Sequence, residues 1–248
     1  MREKWRKKRM NVKQIGFVMM FLIGTAYADN QIYIDQVGAA AVIEVIQDGS
    51  GNKVGGSVTD DTKMLLSGDN MDFNVNLSGG SNNVIGSVIG TSTVDIDVDG
   101  STNNIGFDVD KDNVYGATDG NYVINVTGGN NDLDIDVASL DTANDVDFDF
   151  VLTGDFNEAD VNIDASSLTF DLDVAGDNNS LLYNASGYDG HEFILTGTGS
   201  YWDVFVNQES TLQSDTLEID YDGSGTSDTS STLCITQSDS GTATGCSP

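Results

Sequence analysis

The chain has 248 residues with 10 Lys plus Arg against 40 Asp plus Glu, a formal net charge of −30, 28 Gly and one Pro. That balance excludes nucleic acid and anionic membrane as partners, because both are held by cationic surface that releases counterions. Scarce proline suits uninterrupted strand ladders, and no stretch carries apolar residues at i, i+3, i+4 and i+7, which argues against helices.

The N-terminus reads as an export signal. Arg2, Lys4, Arg6, Lys7, Lys8, Arg9 and Lys13 precede an apolar run from Ile15 to Ala26, and Ala26-Tyr27-Ala28 supplies a small-x-small cleavage site. The apolar run is too short to span a bilayer, so cleavage after Ala28 is expected, with either Met1 or Met10 as the start. Only Lys53, Lys63 and Lys111 then remain as Lys or Arg, against 39 carboxylates, for a net charge near 3 − 39 = −36. Cations or a salty medium are the natural company of such a surface.

The first element expected after the leader is a strand pair in Ile32-Tyr33-Ile34-Asp35-Gln36-Val37-Gly38-Ala39-Ala40-Ala41-Val42-Ile43-Glu44-Val45-Ile46-Gln47. Gln36-x-Gly38 followed by Ile43 and Gln47 resembles the curlin repeat, Gln-x-Gly-x-x-Asn-x-Ala-x-x-x-Gln, with Ala41 and Ile43 standing where that family has Asn and Ala. The resemblance covers this one repeat, with a fragment at Ile235-Thr236-Gln237. It implies an exported subunit of a surface fibre used in adhesion and biofilm, built from strand-turn-strand units. On the residues alone, Gln36 and Gln47 could bond to like residues of a neighbouring coil or chain and Gly38 permits the turn. An N-terminal hairpin that merely caps the fold is the other reading.

Beyond it, one phrase recurs: MDFNVNLSGGSNN, TVDIDVDGSTNN, YVINVTGGNN, DLDIDVASLD, VDFDFVLTGD and LTFDLDVAGDNN. The first inward apolar residues fall at Phe73, Val84, Val94, Ile105, Val114, Tyr122, Leu133 and Val146, at spacings of 11, 10, 11, 9, 8, 11 and 13. Regular self-similarity of this kind marks a stacked repeat, here with a strand as its element. A period of two puts Val94, Ile96 and Val98 on one face and Asp95, Asp97 and Asp99 on the other, and the runs at Leu133, Val146 and Leu168 behave alike. The Gly/Asn/Asp turns between them tolerate positive φ.

The expected fold is therefore all-β: a β-solenoid of stacked strand-turn-strand coils of about 21 residues, with Asn or Ser rows laddering their amides at the corners and a β-sandwich as the alternative. At about 4.8 Å per coil, roughly ten coils would make a rod about 50 Å long. The organisation runs as a signal peptide (1–28), a curlin-like cap (29–60), an acidic solenoid (61–222) and a C-terminal segment (223–248), with disorder-prone composition near Gly223 to Ser231. Cys234 and Cys246 are expected to form a disulfide that pins the last coil, as export permits.

Chemistry-bearing motifs are few. Asp95-x-Asp97-x-Asp99-Gly100 opens like an EF-hand loop but has Gly106 where the closing Glu is required, which excludes that loop. Two readings of the acidic faces stay open. Asp95, Asp97, Asp99, Asp132, Asp134 and Asp136 either bind Ca²⁺ at loosely defined surface sites or are simply solvated. Neighbouring coils would bring about a dozen carboxylate pairs to about 5 Å, costing roughly 0.9 kcal/mol each in water. His191, the sole histidine, is expected to be exposed in a turn, and no HExxH, GxSxG or phosphate loop occurs, so no enzymatic activity is expected. Tyr201, Trp202 and Phe205 form the one aromatic cluster, read as core packing ahead of sugar stacking. The function expected is a secreted or cell-surface structural or adhesive protein that self-associates or joins fibre partners. The alternatives are a calcium-dependent or glycan-binding surface module and a viral appendage protein.

Overall fold

The computed structural model describes residues 30–55, 64–109, 120–138, 144–164, 166–187, 190–210, 215–222 and 232–239. The leader and its cleavage site, Lys63, Lys111, Val114, the 223–231 stretch and Cys246 lie outside the described residues. Strands follow in chain order as β1 (Gln31–Ile32), β2 (Asp35–Val37), β3 (Val42–Asp48), β4 (Asn52–Val54), β5 (Met64–Ser67), β6 (Met71–Ile89), β7 (Ser92–Val109), β8 (Asn121–Thr127) and β9 (Asn130–Ala138). They continue as β10 (Asn144–Thr153), β11 (Asn157–Asp164), β12 (Ser166–Ala175), β13 (Asn179–Gly187), β14 (Glu192–Thr198), β15 (Trp202–Ser210), β16 (Thr216–Asp222) and β17 (Thr232–Asp239). Among the described residues there is no helix, and every strand pairing is parallel. A β-sandwich is built from antiparallel strands, so the molecule is a β-solenoid.

Two ladders run the length of the stack. One joins β3, the first half of β6, the first half of β7, β8, β10, β12, β14 and β16. The other joins β1, β4, the second halves of β6 and β7, β9, β11, β13, β15 and β17. The long strands β6 and β7 turn the corner at Gly79 and Gly100 and so serve both faces. β2 and β5 extend the second ladder beneath the end of β6.

The coil length is about 21 residues where the turns are tight and longer elsewhere. Phe73 lies beside Val94 and Phe148 beside Phe170, steps of 21 and 22 residues, whereas Val94 to Tyr122 takes 28 and Ile43 to Phe73 takes 30. The added length falls at 56–63, 110–119 and 139–143, so fewer coils fit the chain than a uniform period predicts. Eight rungs on the first ladder give a stack about 40 Å tall.

Alternation fixes what lies inside. Phe73, Val94, Tyr122, Phe148, Phe170 and Phe193 form one inward column, each no more than 1 % exposed. Tyr122 stacks on Phe148 at 4.8 Å, and Phe150 meets Phe148 and Phe170 edge-on at 5.5 and 5.1 Å. Rings held one rung apart by backbone hydrogen bonds must touch in this way, so one alternating pattern yields both the apolar spine and the acidic exterior.

Candidate functional surfaces

The most ordered polar feature is a buried asparagine ladder at one corner. Asn30 Nδ2 donates to Asn52 Oδ1 at 3.1 Å, Asn52 to Asn82 at 3.0 Å, Asn82 to Asn103 at 2.9 Å, Asn103 to Asn131 at 2.9 Å, Asn131 to Asn157 at 2.7 Å and Asn157 to Asn179 at 2.8 Å. Every amide points the same way, an arrangement in which each bond polarises the next. From Asn52 to Asn179 each side-chain amide also donates to a backbone carbonyl, as in Asn131 to Thr153 at 3.3 Å and Asn157 to Gly154 at 2.6 Å. Asn179 then stands beside Trp202, which closes the ladder. The signal is in the sequence as Gly-x-x-Asn: Gly49 and Asn52, Gly79 and Asn82, Gly100 and Asn103, Gly128 and Asn131, Gly154 and Asn157, Gly176 and Asn179. The expected amide row is present, although from the sequence the turn asparagines are equally well explained by backbone conformation. In fact Gly79, Gly154 and Gly176 take the positive φ (147°, 140° and 137°), and the Asn three residues later points inward.

The acidic candidates divide between two faces. Asp95, Asp97 and Asp99 lie on β7 in the first ladder, and Asp132, Asp134 and Asp136 on β9 in the second. Among the described residues no group of three or more His, Cys, Asp or Glu side chains converges as metal ligands would. Among the described residues, four acidic pairs stand in register on paired strands: Asp108 with Asp136, Asp132 with Glu158, Asp134 with Asp160, and Asp149 with Asp171. Among the described strands this is fewer than the expected dozen, because Asn, Ser and Thr interleave the acidic columns. Asn125 donates to Asp97 at 2.9 Å, Asn104 to Asp132 at 3.2 Å and Asn162 to Asp160 at 3.0 Å. Amide donors thus offset part of the repulsion.

The remaining repulsion is visible in four carboxyls. Asp95, Asp134, Asp160 and Asp171 are all pushed above the ordinary 3.8, first by partial burial and then by acidic neighbours: Asp97 and Asp72 for Asp95, Asp136 and Asp160 among others for Asp134, Asp136 and Asp132 for Asp160, and Asp173, Asp149 and Asp147 for Asp171. The Asn162 hydrogen bond works the other way at Asp160. A carboxyl whose pKa is higher folded than unfolded penalises the fold while ionised. The penalty is complete above the folded pKa and disappears as pH falls through it toward 3.8. The melting midpoint in dilute buffer is therefore expected to rise as pH falls from 7 toward 3.8. A fall over that interval would contradict the assignment.

The terminal coil contains the curlin-like residues. Gln36 and Gln47 both project inward, half-buried and buried, while Gly38 turns with φ 132°. Their partners one rung up are Leu66 and Leu77, so neither meets a like residue among the described strands. Among the described residues no hydrogen-bond donor reaches the buried Gln47 Oε1.

At the other end, His191 is 1 % exposed, which corrects its expected exposure. Alternation along β14 carries back through the turn and sets 191, 193 and 195 inward. The His191 N–H donates to Asp215 Oδ1 at 3.0 Å, and its carbonyl accepts from Gln208 Nε2 at 3.0 Å and the Thr216 N–H at 2.8 Å. The buried Tyr183 hydroxyl is pushed far above its ordinary pKa, by burial first and by Asp215 second. Trp202 is 2 % exposed, 5.2 Å from Tyr221, and fills the space left by Gly197, where a Cβ would come within 2.8 Å of the indole. It is a core residue, and Phe205 is half-buried on the outer face. Cys234 is disulfide-bonded.

The chain thus defines a class: a parallel, acidic β-solenoid cross-linked internally by an asparagine ladder. Comparison with protein-family models, with curated proteins and with solved structures gives no match to it.

Proposed function

We propose that this is an exported structural or adhesive protein that works outside the cell, self-associating or joining a fibre through its end coil. The observation that carries the reading is the state of that coil. Ile32, Ile34, Ala41 and Ile43 are only partly buried, Val37, Val42 and Ile46 are exposed, and Gln47 Oε1 has no donor among the described residues. A strand added beneath β3 would cover the apolar row, continue the parallel ladder and bring a donor to Gln47. The resemblance of residues 32–47 to a curlin repeat adds to it, as do the signal-like leader and the surface charge, which keeps long polymers soluble.

Electron microscopy of the purified mature protein during incubation, with thioflavin fluorescence, tests the proposal. Filaments are expected, and their yield is expected to drop at least tenfold in Ile43→Lys; persistent monodisperse rods would overturn it. A second reading, cation association along the registered pairs such as Asp134 with Asp160, is separated in the same experiment. It requires calcium to change filament yield relative to EDTA at fixed ionic strength, and equal yields remove it.

A further inference from the structure

Three successive rungs of the asparagine corner carry non-glycine residues in the left-handed region: Phe156 (φ 59°), Asn178 (φ 61°) and Tyr201 (φ 62°). They occupy one column. The Phe156 N–H donates to the Asp177 carbonyl and the Asn178 N–H to the Ser200 carbonyl, both at 2.8 Å. Asn157 lies beside Asn179, and Asn179 beside Trp202. Asparagine takes this conformation readily, but a bulky aromatic there is a true outlier. Burial does not compensate, since Phe156 is 58 % exposed and Tyr201 38 %. Folding alone would favour Asn or Gly at both places, and strain retained without packing points to a use of the side chain.

The surroundings indicate the use. Two rungs separate Phe156 from Tyr201, or about 9.6 Å along the stack. That distance approximates one disaccharide of an extended 1,4-linked polysaccharide. In a β-linked chain successive sugars face opposite ways, so every second ring offers the same apolar C–H face. Aromatic rings are suited to receive it, with polar groups beside them to fix orientation. Asp155 and Asp177 immediately precede Phe156 and Asn178 in the same turns and are fixed there, Oδ1 of Asp155 accepting from the Asp177 N–H at 3.0 Å and Oδ1 of Asp177 from the Ser200 N–H at 2.7 Å. Both carboxylates and Asn178 are exposed. The surrounding negative charge repels anionic glycans and accepts neutral or amine-bearing ones.

We propose that Phe156 and Tyr201 are the two stacking platforms of a binding strip for an extended β-1,4-linked polysaccharide of neutral or amine-bearing hexopyranose units, with Asp155, Asp177 and Asn178 as its polar contacts. The strip is separate from the end coil, so it operates whether or not the protein forms fibres. Calorimetric titration of the full mature chain with cellohexaose and with chitohexaose tests it, comparing wild type with the double variant Phe156→Asn/Tyr201→Asn. The variant is expected to melt at the same temperature or higher, because Asn178 already fits this column. Saturable binding of at least one hexaose by wild type, with affinity at least tenfold weaker in the variant, is the expected result. No saturable binding of either sugar by wild type, or equal affinity in a folded variant, would overturn it.

Discussion

Gly154→Ala is expected to destabilise the protein by about 4 kcal/mol, near the upper end of what one substitution does. A Cβ on Gly154 would lie 1.4 Å from the carbonyl oxygen of Gly128 in the rung below, and the backbone there has φ +140°. The neighbour cannot yield as a flexible side chain would, because that oxygen belongs to a backbone held by the ladder. The Gly154 N–H itself donates to the Ala175 carbonyl of the rung above at 2.8 Å. Strain of about 1–3 kcal/mol for the φ alone is therefore joined by disruption of the rung. Gly129 is the internal control: a Cβ there meets only the Ser101 carbonyl at 3.5 Å, so Gly129→Ala is expected within about 0.5 kcal/mol of wild type. Denaturant titration of both variants checks the contrast. Equal stabilities would mean that the glycine column is not in contact.

Asn131→Ala is expected to cost about 3 kcal/mol. Asn131 sits mid-ladder, accepting from Asn103 at 2.9 Å and donating to Asn157 at 2.7 Å. Truncation leaves two buried partners short of a bond, at about 1–3 kcal/mol each before relaxation. Asn125→Ala removes an exposed amide bonded to Asp97 at 2.9 Å and is expected to cost under about 1 kcal/mol. The same denaturant titration, with m-values compared, separates loss of the ladder from a change in the unfolded state. A cost for Asn131→Ala no greater than for Asn125→Ala would contradict the ladder.

Much of this fold is legible in the chain because one rule generates it. Strict alternation in Val94–Asp99 or Leu133–Asp136 leaves no choice of inward face once the element is a strand, and Val94, Ile96, Leu133 and Ile135 are each at most 1 % exposed. Coil length is less legible, because residues added between strands do not disturb the register of the strands they join. His191 is hard to place for a related reason: a polar residue beside glycine reads as turn, while its inward parity depends on where β14 begins. The paired role of Gly-x-x-Asn is hidden too, since glycine and asparagine are each explained adequately by turn chemistry until the coils are stacked. The surfaces are the least legible. Which Asp meets Asp, and which meets Asn, depends on register between segments 21 to 30 residues apart. Phe156 and Tyr201 look ordinary until they prove to share one strained column.

The most direct test of the stacked architecture is nitroxide labelling of paired cysteines with the native disulfide left intact. Asp149 and Asp171 face outward and stand in register on β10 and β12, whereas Asp149 and Asp203 lie on different ladders. Strong spin–spin broadening is predicted for labels at 149 and 171, and none for 149 and 203. Narrow spectra from the 149/171 pair in folded protein would contradict the parallel solenoid.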